Sequence, residues 1–308
     1  MDHRTEIREF LTSRRAKISP RQAGLPSYGT RRVPGLRRSE VAQLAGVSVE
    51  YYSRLERGDL AGVSDSVLDA LARALRLNDE ERTHLEDLAR TAGSGPRRRR
   101  RSTPQQVRPT VQRMLDAMTD APAFVMNGRG DILATNALGR ALYAPMFDAA
   151  RSATPNHSRF IFLDRRSHLF WGDWERAADD TVALLHAQAG RDPYDKDLTD
   201  LIGELSTRSD DFRVRWARHD VRQHHIGAKP FHHPVVGDLD LTYESMDLSA
   251  DDLTLVVYGT EPGSDSEDKL RLLASWATTL HQYDHCRPMP NEQPPTASGT
   301  TNKPGDVS

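Results

Sequence analysis

Apolar residues recur at helical spacing over the first ninety positions, and a mixture of helical and alternating patterns follows. Ile7, Phe10, Leu11 and Ile18 line one side of residues 3–17, with Arg4, Arg8, Arg14 and Arg15 around them. That spacing predicts a basic amphipathic helix. Residues 19–35 are rich in Pro, Gly and Arg and predict a loop. Val41, Ala42, Leu44 and Ala45 then form an apolar stripe, and Tyr52 and Leu55 form a second one at i, i+3. Gly46 lies between the stripes, where a chain turns sharply without a Cβ clash. Ser48 stands at the N-cap of the second segment, and Gly58 follows its last apolar residue as a stop. Ser64 opens a further helix carrying Val67, Leu68, Leu71 and Leu75. Asn78 with Glu81 resembles a capping box ahead of Leu85 and Leu88. An all-α N-terminal domain of about five helices is expected over residues 1–90.

Residues 91–109 read as a linker, with Arg97 to Arg101 a run of like charges that repel and do not pack. Beyond it a short amphipathic helix covers Val111 to Met118. Ala123–Asn127 and Ile132–Thr135 predict a hairpin around Gly128-Arg129-Gly130-Asp131, and the chain turns helical after Asn136. Strand, Gly-rich turn, strand, Asn and helix is how a PAS-type sensor domain begins. Helices are expected from Trp174 to about 189, over 195–206 and near 212–217. Strands are expected at 221–233, 239–246 and 253–258. Leu239, Leu241 and Tyr243 alternate with Asp240, Thr242 and Glu244, the pattern of a half-buried antiparallel strand. A last helix spans 269–279, and the Pro/Ser/Thr/Gly-rich stretch 286–308 predicts a disordered tail. The expected class is α+β with an antiparallel sheet over residues 110–283.

The stretch 37–58 has the layout of a helix-turn-helix, whose second helix enters the major groove of DNA. It resembles the phage-repressor (Cro/C1, or XRE) type, with Glu40, Ala42, Gln43, Gly46, Leu55, Glu56 and Gly58 falling where that family has the same residues. The core motif spans 34–81 and the recognition helix 48–57. Its outward positions are Val49, Glu50, Ser53 and Arg54. Arg54 suits a bidentate pair with guanine, Glu50 a cytosine amine or Arg54 itself, and Val49 a thymine methyl. Arg37, Arg38 and Arg57 are phosphate candidates, as is Tyr51, with Ser39 and Ser48 at the two helix starts. Arg37 takes the place where many phage-type members carry a Ser or Thr cap. Glu56 is expected to be structural, because phosphate repels an unpaired acid.

Charge supports a polyanionic partner for the front of the chain only. Residues 1–101 hold 21 Lys and Arg against 14 Asp and Glu, a formal +7; the remainder holds 21 against 30, or −9. With 308 residues and 37% hydrophobic positions, two real cores are affordable. No run of 18 apolar residues and no signal-type segment occurs, and Cys286 is the only cysteine, so a cytoplasmic protein without a membrane role is expected.

A second resemblance covers roughly residues 3–283. Val33 to Ala42 followed by Tyr51 to Gly58, then Asp131 to Asn136, Trp174-Glu175, Ser209 to Trp216 and His233 to Gly237 resemble, in the same order, the MmyB-like regulators of actinobacteria. The resemblance implies a helix-turn-helix domain followed by a PAS-like ligand-binding domain, a homodimer, and a pocket for a fatty-acid-like ligand. It adds no other cofactor. Lining candidates are Phe124, Asn136, Leu142, Trp171, Trp174, Trp216 and Phe231; for any one of the aromatics, ordinary core is the stronger expectation.

Other constellations argue weakly. His219, His224, His225, His232 and His233 have no cysteine partner and no helical H-x-x-x-H spacing, so a metal site is not expected. Asp164, Asp173 and Glu175 lack a nucleophile beside them, and no phosphate-binding helix follows the Gly128-Arg129-Gly130 turn. The expectation is a non-enzymatic, ligand-responsive regulator reading a palindromic operator in double-stranded DNA. The alternatives are a C-terminal domain serving dimerisation or partner binding only, and a ligand-processing enzyme.

Overall fold

A computed structural model describes residues 3–25, 35–93, 105–150, 154–218, 226–249 and 251–285. The N-terminal domain is built from α1 (His3–Lys17), α2 (Arg38–Ala45), α3 (Val49–Glu56), α4 (Asp65–Ala74) and α5 (Asp79–Gly93). Ile7, Phe10, Leu11, Val41, Tyr52, Leu55, Leu71 and Leu85 are each fully buried in one cluster. The helix starts follow local chemistry. The Ser48 hydroxyl accepts the Tyr51 N–H at 3.0 Å. Asn78 and Glu81 close a full capping box, with bonds of 2.8 and 3.1 Å. At the start of α2 only half of that box forms: the Glu40 carboxylate accepts the Arg37 N–H at 2.7 Å, and the guanidinium of Arg37 has no acceptor to offer in return.

Three details differ from the sequence expectation. Leu44 is 36% exposed, because Val41, Ala42 and Ala45 already fill the buried side of α2. Arg14 is buried rather than displayed, and pairs with Glu81. Helix α5 continues to Gly93, three residues past the expected domain end. The remaining expected linker around Arg97–Arg101, the tail 286–308, and His219, His224 and His225 lie outside the described residues.

The C-terminal domain carries α6 (Pro109–Ala117), β1 (Ala123–Asn127), β2 (Ile132–Thr135), α7 (Ala137–Leu142), α8 (Ala144–Ala150), α9 (His157–Leu163), α10 (Arg166–Phe170), α11 (Trp174–Arg191), α12 (Lys196–Arg208), α13 (Asp210–Trp216), β3 (Ile226–His233), β4 (Gly237–Leu248), β5 (Leu253–Gly259) and α14 (Asp265–His285). The five strands form one antiparallel sheet in the order β2-β1-β5-β4-β3. Pro230 sits on edge strand β3, where a missing N–H is tolerated. Residues directly opposite each other share a face, so the register sorts the side chains. Ala123, Val125, Leu253 and Leu255 form a small core on one face with Val111 and Leu115 of α6. Phe124, Val256, Tyr258, Tyr243, Leu241 and Phe231 point the other way, into the main core with α7, α9, α10, α11 and α13. No described helix is long and apolar enough to cross a membrane.

Candidate functional site

The first site is the outer face of α3. Tyr52 and Leu55 are buried, which fixes the helix against the domain and turns the opposite side outward. Val49, Glu50, Arg54 and Arg57 are exposed there, and Tyr51 and Ser53 are half-buried. Arg37, Arg38, Ser39 and Ser48 are exposed at the N-terminal ends of α2 and α3. The ten residues expected to face DNA therefore all keep solvent access. The turn between the helices needs Gly46, whose φ is +68°.

Two contacts adjust the picture of this face. The Arg54 guanidinium lies 4.9 Å from the Tyr51 ring centroid and 3.6 Å from Asp59, so it starts in a defined place beside the recognition helix. Arg38 is bonded to Glu56, which also accepts from Arg15 at 2.8 Å and from Thr12 at 3.2 Å. Glu56 is 1% exposed. This acid ties the end of α3 to the start of α2 and to α1. Gly58 completes the seam. Its φ is +97°, and a Cβ there would stand 2.5 Å from the Arg4 carbonyl oxygen. Gly58 is thus required by the close approach of α1 as well as by the end of α3.

The second site is a cleft between the inner face of the sheet and α11, open to solvent on one side, with a cavity volume of ≈ 120 Å³. Phe124 and Met126 of β1, Tyr243 of β4, Val256 and Tyr258 of β5, and Leu184 of α11 supply its apolar walls. Its polar groups are Lys229, His157, Asp180, Thr181, Ser245, Asp247, Thr254 and Arg191. The Lys229 ammonium stands 4.6 Å from the centroid of the Tyr243 ring and 5.5 Å from that of Trp171. Among the described residues it makes no hydrogen bond or ion pair. Burial pulls its pKa below the usual lysine value, with Asp180 opposing the shift. His157 is enclosed by protein yet opens on the cleft; burial, with a smaller push from Lys229, lowers its pKa to about 3, so the ring is neutral at physiological pH. Tyr143 and Tyr258 meet hydroxyl to hydroxyl at 2.5 Å behind the wall, and burial raises the pKa of both.

Of the expected lining residues, only Phe124 is on the cleft wall. Asn136 caps α7 and spends all its hydrogen bonds on backbone: its oxygen accepts from Ala123 and Gly139, and its amide donates to Met118 and Ala121. Leu142 is fully buried core. Trp171 and Phe231 pack at 4.8 Å between ring centroids, tilted by 36°, within the aromatic cluster beneath Lys229. Trp174 donates its indole N–H to Ile161 and Ser167 and stacks on His168. Trp216 lies at the junction with the N-terminal domain, stacked on His186. These large side chains are core because the helices α7 to α13 close over them. The missed wall residues left one signal. Extending the inward set Leu239, Leu241, Tyr243 by the same alternation reaches Ser245 and Asp247, polar residues at positions that face the core side. His232 pairs with Asp238, and His233 donates to the Ala141 carbonyl at 3.1 Å, which accounts for these two histidines.

Fold and surfaces together define a class: a helix-turn-helix DNA-binding domain joined to an α+β ligand-binding domain. A helix-turn-helix family model matches residues 8–85, and the model of the MmyB-like transcription regulator ligand binding domain matches residues 107–273. The chain belongs to the MmyB-like family and is a DNA-binding transcription regulator. A search of curated proteins finds no match.

Proposed function

We propose that α3 reads a palindromic operator in double-stranded DNA as part of a homodimer, and that the cleft holds a fatty-acid-like effector which changes operator affinity. The observation that supports the first half is the sorting of α3 into a buried side held by Tyr52 and Leu55 and an outer side carrying Val49, Glu50, Ser53 and Arg54. In this reading those four face base edges, while Arg37, Arg57, Tyr51 and the exposed part of Arg38 meet phosphates, with Ser39 and Ser48 beside them. On major-groove entry the Asp59 carboxylate yields Arg54 to guanine, since an exposed ion pair contributes little. Arg54→Ala is expected to reduce preference for operator over scrambled duplex by roughly 10–100-fold, the worth of one bidentate base contact. Weak, salt-sensitive binding persists through the phosphate contacts. Gel-shift titration against both duplexes checks this, and an unchanged preference rules the reading out.

The cleft supports the second half, because it sets an aromatic and aliphatic wall beside Lys229 and His157, the two of its polar groups best suited to an anionic head group. An acyl chain lies along Phe124, Met126, Leu184 and Val256, and its carboxylate meets the ammonium of Lys229 and an N–H of neutral His157. Dodecanoic acid is expected to bind delipidated protein more tightly than 1-dodecanol. Lys229→Met weakens binding of the acid by about tenfold or more, the usual worth of a hydrogen bond to a charged group, and leaves the alcohol unaffected. Calorimetric titration of both compounds checks it. Equal loss for acid and alcohol would mean that Lys229 shapes the wall and does not hold the head.

A further inference from the structure

Helix α11 has two working sides. One carries Asp180, Thr181 and Leu184 into the cleft. The other carries His186 and Gly190 onto the DNA-binding domain. His186 is fully buried, with its ring flat against Trp216 at 3.6 Å and an interplanar angle of 12°. Its Nε2 lies 3.1 Å from the Trp216 carbonyl oxygen, which only accepts, so Nε2 carries a hydrogen. Its Nδ1 lies 3.1 Å from Oε1 of Glu6 on α1, and Glu6 is itself 3% exposed. One proton therefore sits between that ring and that carboxyl group. A turn further on, α5 comes so close to α11 that a Cβ on Gly190 would stand 2.6 Å from the His84 ring. The Thr91 hydroxyl donates to the Gly190 carbonyl at 3.3 Å. Arg191 both lines the cleft and pairs with Asp87 of α5 at 3.5 Å.

On the far side, α1 is a single helix from Glu6 to Thr12 and Arg15, a rise of about 14 Å over nine residues. Thr12 and Arg15 hold Glu56 at the end of the recognition helix. Each link from cleft wall to α3 is thus either one helix or one buried polar contact. We propose that Glu6 and His186 are the positioning pair through which occupancy of the cleft is felt by α3. A ligand that displaces α11 moves His186; the shared proton makes α1 follow, because separating the pair breaks a buried polar contact that water cannot replace. This rests on the cleft being the effector site. Coupling of this kind is a biased equilibrium of connected rigid elements, so it predicts a response far from the ligand.

The test is hydrogen exchange read by mass spectrometry on the full-length, delipidated protein, with and without dodecanoic acid. The wild type is expected to slow exchange in α11 and also in α1 and α3, the distant helices by about fivefold or more, the low end of ordinary allosteric coupling. Glu6→Ala keeps the slowing in α11 and loses it in α1 and α3. Glu6→Gln, whose amide oxygen still accepts a hydrogen bond, retains it. His186→Gln removes the stacked ring from the other domain and reproduces the loss should Glu6→Ala loosen α1. Slowing confined to the C-terminal domain of the wild type overturns the coupling and leaves the effector site standing. Distant slowing that survives in both Glu6→Ala and His186→Gln overturns the role of the pair. No slowing anywhere overturns the effector site and the coupling together.

Discussion

Glu56→Ala is expected to destabilise the DNA-binding domain by about 3 kcal/mol, the low end for breaking a buried ion pair. The side chain is 1% exposed and accepts from Thr12, Arg15 and Arg38. Alanine leaves the Arg15 guanidinium with one fewer acceptor in a site that is only 14% open to water. Arg38, at 57% exposure, re-solvates and adds little to the loss. Function suffers beyond stability, because these bonds set the end of α3 against the start of α2. Glu56→Gln keeps an acceptor and loses less. Denaturant melts followed by exchange of α1 to α3 amides check the prediction, and an unchanged midpoint for Glu56→Ala would show that apolar packing alone holds the three helices.

Asn136→Ala is expected to cost the ligand-binding domain about 3–4 kcal/mol. Four backbone groups, the N–H of Ala123 and Gly139 and the carbonyls of Met118 and Ala121, lose their partner at once, and each buried orphan costs about 1–3 kcal/mol before relaxation. This residue joins the chain before β1, the first residue of β1 and the start of α7. A thermal melt of the variant, together with dodecanoic acid titration, separates two roles. Lost stability with binding retained in the folded fraction marks a structural cap. Retained stability with binding lost would mark a ligand contact instead.

The helices of the DNA-binding domain were legible because each carries its own instructions. Ile7, Phe10 and Leu11 state which side of α1 is buried, Ser48 and Asn78 state where α3 and α5 begin, and Gly46 states where the chain turns. The outward set on α3 follows from the same periodicity, since a short helix with two buried anchors has only one side left. Leu44 and Arg14 show the limit. Helical spacing gives an arc, and neighbours decide its edges; Arg14 is drawn inside by Glu81, which comes from another helix.

The ligand-binding domain divides differently. Its strands, its hairpin at Gly130 and its cap at Asn136 come from local pattern, and so does the α+β class. The lining of the cleft does not. Tryptophans attract attention by size, yet Trp171, Trp174 and Trp216 are covered by helices that arrive from elsewhere in the chain. Lys229 and His157 draw no attention by size or spacing, yet both open on the cleft. Which of two buried faces keeps a void depends on how far α11 stands from the sheet, and that is a sum over many contacts rather than a property of any segment. The same holds for Glu6 and His186, which are 180 residues apart. Local sequence determined the elements, their caps and the outward side of α3, because period and capping act over a few residues. Tertiary structure alone decided where the cleft lies, which side chains line it and which buried pair joins α1 to α11, because those depend on the approach of segments distant in the chain.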